Sequence, residues 1–306
     1  MGTYVVRRLV VAVPALWAAV TLVFFLFRQV PGDPAELIAG ELAPREVVES
    51  IRHQMGLDLP LPLQYSHYLS GLVHGDLGIS KVSQQNASEA LLQRLPATLE
   101  LAVLAMVLAL TVGVGAGLIS AVKQYSWPDY LATVLSVGGI SIPSFWLGLM
   151  LIILFSVTLR LLPTAGNETP AAIVLPAITL AAYQMAVIAR MTRSSALEIL
   201  SQDYVRTARA KGVRERGVIL RHVLRNALVP TVAVAGLQLG YLLGGSIVVE
   251  TVFAWPGVGS LMIEAVRIRD YTMVQAVALA FAGMFLLINL VVDVLYAALD
   301  PRVQYR

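Results

Sequence analysis

The chain of 306 residues has no cysteine, so disulfides and thiol chemistry are excluded, although no compartment follows from that. Charge is scarce as well. Only 13% of residues are Asp, Glu, Lys or Arg, where ordinary soluble domains carry about 25%. Hydrophobic residues make up 58% and the mean hydropathy is +0.76, a balance that argues against a water-soluble globule. The formal net charge of +3 is too small to point to nucleic acid. Motifs that carry catalysis are missing. No H-E-x-x-H occurs; His53, His67 and His74 lack metal-ligand spacing, and His222 stands alone. Neither G-x-S-x-G nor G-x-x-x-x-G-K-[ST] is present, which removes a serine nucleophile elbow and that phosphate-cradling loop.

Apolar runs fill the chain instead. Six segments lack Asp, Glu, Lys and Arg and approach or exceed the roughly 20 residues a membrane helix needs: 9–27, 101–122, 131–159, 171–189, 227–249 and 273–292. The fourth is the weakest, because Pro176 and Gln184 are tolerated only where neighbouring helices satisfy polar groups. Arg7 and Arg8 before the first run could open a signal peptide. "RQVPGDPAEL" follows instead of a small-residue cleavage site, so a retained first helix is expected. Residues 190–226 hold nine basic and three acidic side chains, whereas 31–96 hold four basic and eight acidic ones. With six spans, that Lys/Arg bias places both termini and the 190–226 loop in the cytoplasm, and 31–96 outside. The expectation is an all-α integral membrane protein of six transmembrane helices. It forms one domain over 1–306, with an outer loop at 31–96, core helices in 97–298 and a cytoplasmic loop at 190–226.

The outer segment is too long for a simple turn. "APREVVESIRHQMG" puts Val47, Val48, Ile51 and Met55 on one helical face, with Pro44 at the start and Gly56 at the stop. "PLPLQYSHYLSGLVHGDLG" does the same with Tyr65, Tyr68, Leu69 and Leu72, ending at Gly71 or Gly75. Two short amphipathic helices result, either a cap over helix ends or a docking surface. "GGISIPSFWLG" should kink or unwind the third span near 138–143. Gly236, Gly240 and Gly244 recur on one face of the fifth span, and Gly113 and Gly117 on the second. Such spacing allows close helix approach, within the subunit or across a dimer; a pore wall is the alternative. Glu100, Glu250 and Asp293 sit at span ends, where they read as end caps or as helix-terminus pairs. Ion-coupled carriers hold carboxylates deep in the membrane, and this pattern lends that class little support.

One loop departs from the oil. In "SQDYVRTARAKGVRERGVILRHVLRNALVP" Ser201 can cap a helix whose first turn carries Asp203, suited to the positive end of the dipole. Tyr204, Val205 and Arg206 follow, then Thr207, Ala208 and Arg209. Ala210 and Lys211 bring the helix to its stop at Gly212. A second helix from about Arg214 aligns Ile219, Val223 and Ala227 before the fifth span. A lipid anchor needs only the charge. A short rod with a defined end also suits insertion into a groove on a cytoplasmic partner.

Ten stretches in order then carry a resemblance: "PGDPAE", "MGLDLPLPLQY", "GDLGIS", "RLPATLEL", "SIPSFWLG", "DYVRTARAKG", "HVLRNALVP", "VVETVFAWPGVG", "RDYTMVQA" and "LDPR". Over nearly its whole length the chain resembles the permease subunits of bacterial ATP-binding-cassette importers for dipeptides, oligopeptides and nickel. It is most similar to the first permease type, which has a long outer loop after helix one. The resemblance implies a type I ABC importer permease fold in the bacterial cell membrane, and a transporter subunit rather than an enzyme. It assigns ATPase coupling to Tyr204 through Gly212. Against the family's general Glu-Ala-Ala…Gly motif, Arg206, Thr207 and Ala208 occupy the slot, and only Ala208 and Gly212 match it. The gap from Gly212 to Pro230 is also longer than in that general motif. The implied partners are a second homologous permease, one or two cytoplasmic ABC ATPase subunits, an extracytoplasmic substrate-binding protein and membrane lipid. No cofactor is implied on this chain; ATP and Mg belong to the ATPases. Di- or oligopeptides are the implied cargo, with nickel, haem or glutathione as alternatives and no substrate residue assigned. An ion-gradient carrier is the competing class.

Overall fold

The computed structural model describes residues 2–29, 33–40, 43–80 and 82–299. Helix α1 (Gly2–Gln29) precedes three short helices, α2 (Pro34–Ala39), α3 (Arg45–Gln54) and α4 (Leu61–Val73). The long α5 (Ala87–Val122) is followed by α6 (Trp127–Ser141) and by α7 (Ser144–Leu151), which continues as a π-helical stretch, Ile152–Thr158. A 3-10 turn, Pro170–Ile173, opens α8 (Val174–Leu200). Then come α9 (Asp203–Ala210), the single turn α10 (Glu215–Gly217) and a second π-helical stretch, Val218–Leu224. Helices α11 (Arg225–Val252), α12 (Val258–Arg267) and α13 (Tyr271–Leu299) complete the order. Among the described residues no strand occurs beyond one isolated bridge, Ile79 to Asn86.

Among the described residues, four stretches are long and apolar enough to cross a bilayer: Ala87–Val122, Pro170–Leu200, Glu215–Val252 and Tyr271–Val294. Val10–Leu26 is a shorter apolar helix, about 25 Å at 1.5 Å per residue. The third expected span breaks where it should kink or unwind: it is two helices, Trp127–Ser141 and Ser144–Thr158, meeting at 111°. The cause is local: the Pro143 ring disfavours helical backbone at the preceding residue, and Ile142 accordingly sits at φ −85°, ψ 123°.

Contacts divide the chain into two compact units. One comprises Arg7–Ala97 with Pro256–Leu286. Its centre is an apolar cluster of Ala87, Ala90 and Leu91 from α5, Val258, Leu261 and Ala265 from α12, and Met273, Val274 and Val277 from α13. The expected face of α4 is used: Tyr68, Leu69 and Leu72 pack on Val20, Val23 and Leu279, and the Tyr65 and Thr21 hydroxyls share a hydrogen bond of 2.6 Å. Pro44 precedes α3 as expected, and the stops fall at Gly56 (φ +63°) and Gly75 (φ +76°), not Gly71. Among the described residues α3 packs on α2, with Val48, Ile51 and Met55 half-buried and Val47 exposed. Helix α2, capped by Asp33 accepting from Ala35 N–H at 2.9 Å, is a further short helix that the apolar pattern does not announce. Partial burial alone would raise the pKa of Asp33, but hydrogen bonds from the Arg52 guanidinium and from Ala35 N–H hold it below the usual carboxylate value.

The other unit is built on Thr98–Trp255 with the described part of Leu287–Arg306. Here α8 packs against α6, α7 and α11. A methyl group at Gly117 of α5 would lie 2.4 Å from the Ala189 carbonyl oxygen of α8, and one at Gly113 would lie 2.9 Å from Ile188 Cγ2. Backbone approach of that kind is what small residues permit. Of the two expectations for Glu250, end-capping or pairing at a helix terminus, the structure has the pairing. Glu250 is fully buried and accepts a hydrogen bond of 2.8 Å from Thr98 Oγ1.

Candidate coupling site

The site begins with α9, whose eight residues show two faces. Val205 and Ala208, three apart on one face, are buried among Ala121, Ala196, Val218, Val223 and Ala227. Tyr204, Arg206, Thr207, Arg209, Ala210, Lys211 and Gly212 are exposed. Two buried side chains thus fasten the rod while its cationic face stays open.

Its end is well defined. Gly212 takes φ +76°, a left-handed conformation that a Cβ would strain. Its N–H donates to Arg209 O at 2.9 Å, and Val213 N–H donates to Ala208 O at 3.2 Å. That pair of bonds is the Schellman closure, which satisfies carbonyls the helix end would otherwise orphan. Arg209 then folds across the corner, its Nη2 and Nε donating to the two Glu215 oxygens at 2.7 and 3.1 Å. That hydrogen bond holds the Arg209 pKa above its ordinary value. Asn226 Nδ2 donates to Tyr204 Oη at 3.2 Å and ties α9 to α11. Arg209 is therefore partly a strut, and Arg206 and Lys211 carry the freer charge of this face. Arg206 has an exposed contact, 3.7 Å to Asp203.

Two local expectations need correction. Ser201 does not cap α9: its Oγ donates back to Glu198 O at 2.7 Å, closing α8, and Gln202 is the N-cap position without a side-chain bond. The helix from Arg214 is not regular. Through its π-helical stretch the buried positions become Val218, Val223 and Ala227, and Ile219 is only half-buried. The extra residue in a π turn rotates the face, which a 3.6-residue periodicity cannot anticipate.

The glycine stripe divides. A methyl at Gly236 would come within 2.2 Å of Val292 Cγ1, so this glycine seats α13 on α11. Gly240 is buried, whereas Gly244 is exposed with open space beside it.

Pattern reading missed a cluster that braces the same end of the bundle. Asp129, 4% exposed, accepts from Arg193 Nε at 2.9 Å and Nη2 at 3.0 Å, from the Ser120 hydroxyl, and from Tyr125 N–H at 3.0 Å. It joins α5, α6 and α8. The available signal was Asp129 directly after Pro128 in the first turn of α6. Nothing local announced Arg193.

Residues 113–305 match the family described as "Binding-protein-dependent transport system inner membrane component", and residues 1–102 match its N-terminal companion, "Binding-prot-dependent transport system membrane comp, N-term". The chain belongs to this family of transport permeases. The permease is 50% identical over 306 residues, 100% of both chains, to the glutathione transport system permease protein GsiC of Escherichia coli (strain K12). It is 49% identical, again over 100% of both, to the GsiC protein of Shigella boydii serotype 4 (strain Sb227). Among solved structures, an inward-facing MetNI methionine ABC transporter aligns at TM-score 0.58 and 21% identity, over 69% of this chain and 96% of that one. An amino acid ABC transporter with histidines aligns at TM-score 0.52 and 17% identity, over 71% and 95%. At those identities the likeness establishes the fold, that of an ABC importer permease. The permease is a multi-pass inner-membrane component.

Proposed function

We propose that this permease is half of the translocation path of an ATP-driven importer for short peptides, with α9 and Gly212 as the element that couples it to a separate ATPase. The observation that carries the reading is the two-faced α9: Val205 and Ala208 anchor it, the Schellman turn ends it, and Arg206 and Lys211 face outward. A force applied to such a rod passes through buried contacts into α8 and α11. The family's dependence on a binding protein supports an external partner that delivers the cargo. Orientation by Lys/Arg bias puts α9 and both termini in the cytoplasm, where one or two ABC ATPase subunits holding ATP and Mg would receive α9. A second homologous permease completes the path, with Gly244 available for contact across that interface, and the whole chain acts as one membrane domain. Glutathione, itself a tripeptide and the cargo named for the relatives, is the first substrate to try; nickel and haem are the alternatives within the same machinery.

The test is reconstitution of the permease with its companion permease, ATPases and binding protein. ATP-dependent glutathione uptake is the expected result. Arg206→Glu with Lys211→Glu should assemble and insert normally but lose at least tenfold in binding-protein-stimulated ATP hydrolysis. Stimulation at the wild-type level in that variant would remove the coupling role. Uptake that persists without the ATPases would favour an ion-gradient carrier.

A further inference from the structure

At Gly139 the helices α6 and α8 touch: a methyl group there would lie 3.0 Å from the Ala182 carbonyl oxygen. Further along α8, toward α9, a cavity of about 330 Å³ opens between them over α5. Ser120, Thr133, Ser136, Arg190, Arg193 and Ser194 stand in its wall. The rest of the wall is glycine and apolar side chains, with no Asp or Glu. That volume is within the range of small-ligand sites.

The polar groups there are donors without acceptors. Arg190 is exposed and makes no hydrogen bond or ion pair among the described residues. Arg193 is fixed in place, because its Nε and Nη2 donate to Asp129. Its Nη1 enters no such bond among the described residues and is left to donate elsewhere. Ser136 is only 7% exposed, yet its hydroxyl is not closed off and has no partner among the described residues. A buried hydroxyl is satisfied as a rule, and an exception calls for a reason. Two guanidinium groups and free hydroxyls, with no carboxylate among them, are complementary to the oxygens of a phosphate.

Depth narrows the choice of phosphate. From the start of α8 at Val174, Arg190 lies about 24 Å along the axis and Arg193 about 28 Å, at 1.5 Å per residue. A hydrocarbon layer is ~30 Å thick, so both arginines stand at its boundary. Trp127 and Tyr130, exposed at the start of α6, mark the same level, since Trp and Tyr collect where membrane meets water. Val134 and Val137, also exposed, continue from there along α6 as an apolar strip. A soluble phosphate would satisfy the donors and leave the apolar wall wet. A phospholipid covers both.

We infer that this cavity binds the headgroup of an anionic phospholipid from the leaflet beside α9. Arg190 and Arg193 Nη1 hold the phosphate oxygens, the Ser136 hydroxyl donates to the same headgroup, and the acyl chains lie along Val134 and Val137. Basic pockets between membrane helices bind anionic headgroups in this way. A choline headgroup would set its own cation against the two arginines, so a lipid of net negative charge is preferred. The site requires only that this end of α8 meets a membrane surface, and it stands whether or not α9 couples to an ATPase.

The experiment places the reconstituted complex in nanodiscs of phosphatidylcholine with a minor share of phosphatidylglycerol. Native mass spectrometry counts the lipids that stay bound. Wild type should retain phosphatidylglycerol in preference to phosphatidylcholine. Arg190→Gln should weaken that binding about fivefold, the factor that one basic residue near a lipid surface supplies, and Arg190→Lys should keep most of it. Ser194→Leu keeps every charge but obstructs the cavity, and it should lose the lipid to a similar extent. Both positions are exposed, so either variant alone carries the test. Arg216→Gln, an exposed arginine outside the cavity, should change nothing. Lipids held by the companion subunits are common to all samples and cancel. Equal loss in Arg190→Gln and Arg216→Gln, with none in Ser194→Leu, overturns the site and leaves a diffuse attraction to basic surface. Displacement of the lipid by inorganic phosphate overturns it in favour of a soluble anion, and displacement by glutathione in favour of the cargo.

Discussion

Asp129 shows how much one side chain can organise at this end of the permease. Tyr125, just before α6, adopts φ +60°, uncommon for a bulky residue, and its N–H is caught by the Asp129 carboxylate at 3.0 Å. The same carboxylate takes both Arg193 bonds from α8. Replacement by Asn leaves the guanidinium facing a neutral amide. A buried pair broken on one side loses about 3–5 kcal/mol, but Arg193 keeps 31% of its side-chain exposure, so solvent screening reduces the expectation to about 2 kcal/mol. Thermal unfolding of Asp129→Asn in lipid nanodiscs should show a clearly lowered midpoint. Adding Arg193→Gln should recover part of the loss, since neighbours in one network are not additive. An unshifted midpoint would show that the cluster contributes nothing.

At the scale of helices, three glycines form a graded series because their surroundings differ. A methyl at Gly117 meets a backbone carbonyl that has no rotamer to change. At Gly236 it meets a valine side chain that can rotate, and at Gly244 it meets nothing within 4 Å. Overpacking typically costs about 1–3 kcal/mol. Gly117→Ala should therefore fall at the upper end and Gly236→Ala nearer 1 kcal/mol. Gly244→Ala should be neutral within the isolated chain, or slightly stabilising through helix propensity. Unfolding midpoints of the three variants give the order directly, and Gly244→Ala as the worst would contradict the packing described. The even four-residue spacing did not reveal this division. Sequence showed that helices could approach; which glycine met a neighbour depended on where α13 crosses α11.

For the molecule as a whole, orientation is the consequential prediction. The absence of cysteine makes single-cysteine variants available without removing native thiols. Lys211→Cys in intact cells should resist a membrane-impermeant maleimide and react once the cytoplasmic face is opened. His53→Cys, in α3, should react from outside. Labelling of Lys211→Cys from outside would invert the topology and detach α9 from any cytoplasmic motor. The apolar runs, α3 and α4 with their stops, and α9 with Gly212 were all legible in sequence, as was the family. Ser201 as the cap of α9 and a regular helix from Arg214 were misread. In both cases the local backbone decided: Ser201 turns back to the Glu198 carbonyl to close α8, and the π-helical stretch Val218–Leu224 rotates the buried face.

By itself the sequence determined which long segments are apolar helices, that α9 stops at Gly212 and which loops carry the basic excess. Those signals come from apolar length, from proline and glycine, and from charges a few residues apart. Tertiary structure alone decided that Arg193 meets Asp129 across 64 positions, that Gly236 receives Val292, and that Gln184 Oε1 is left without a partner. The physical reason lies in the solvent. A helix in lipid is apolar on the side facing the bilayer as well as on the side facing its neighbours, so hydrophobic pattern shows that it crosses the membrane but not which face meets which helix.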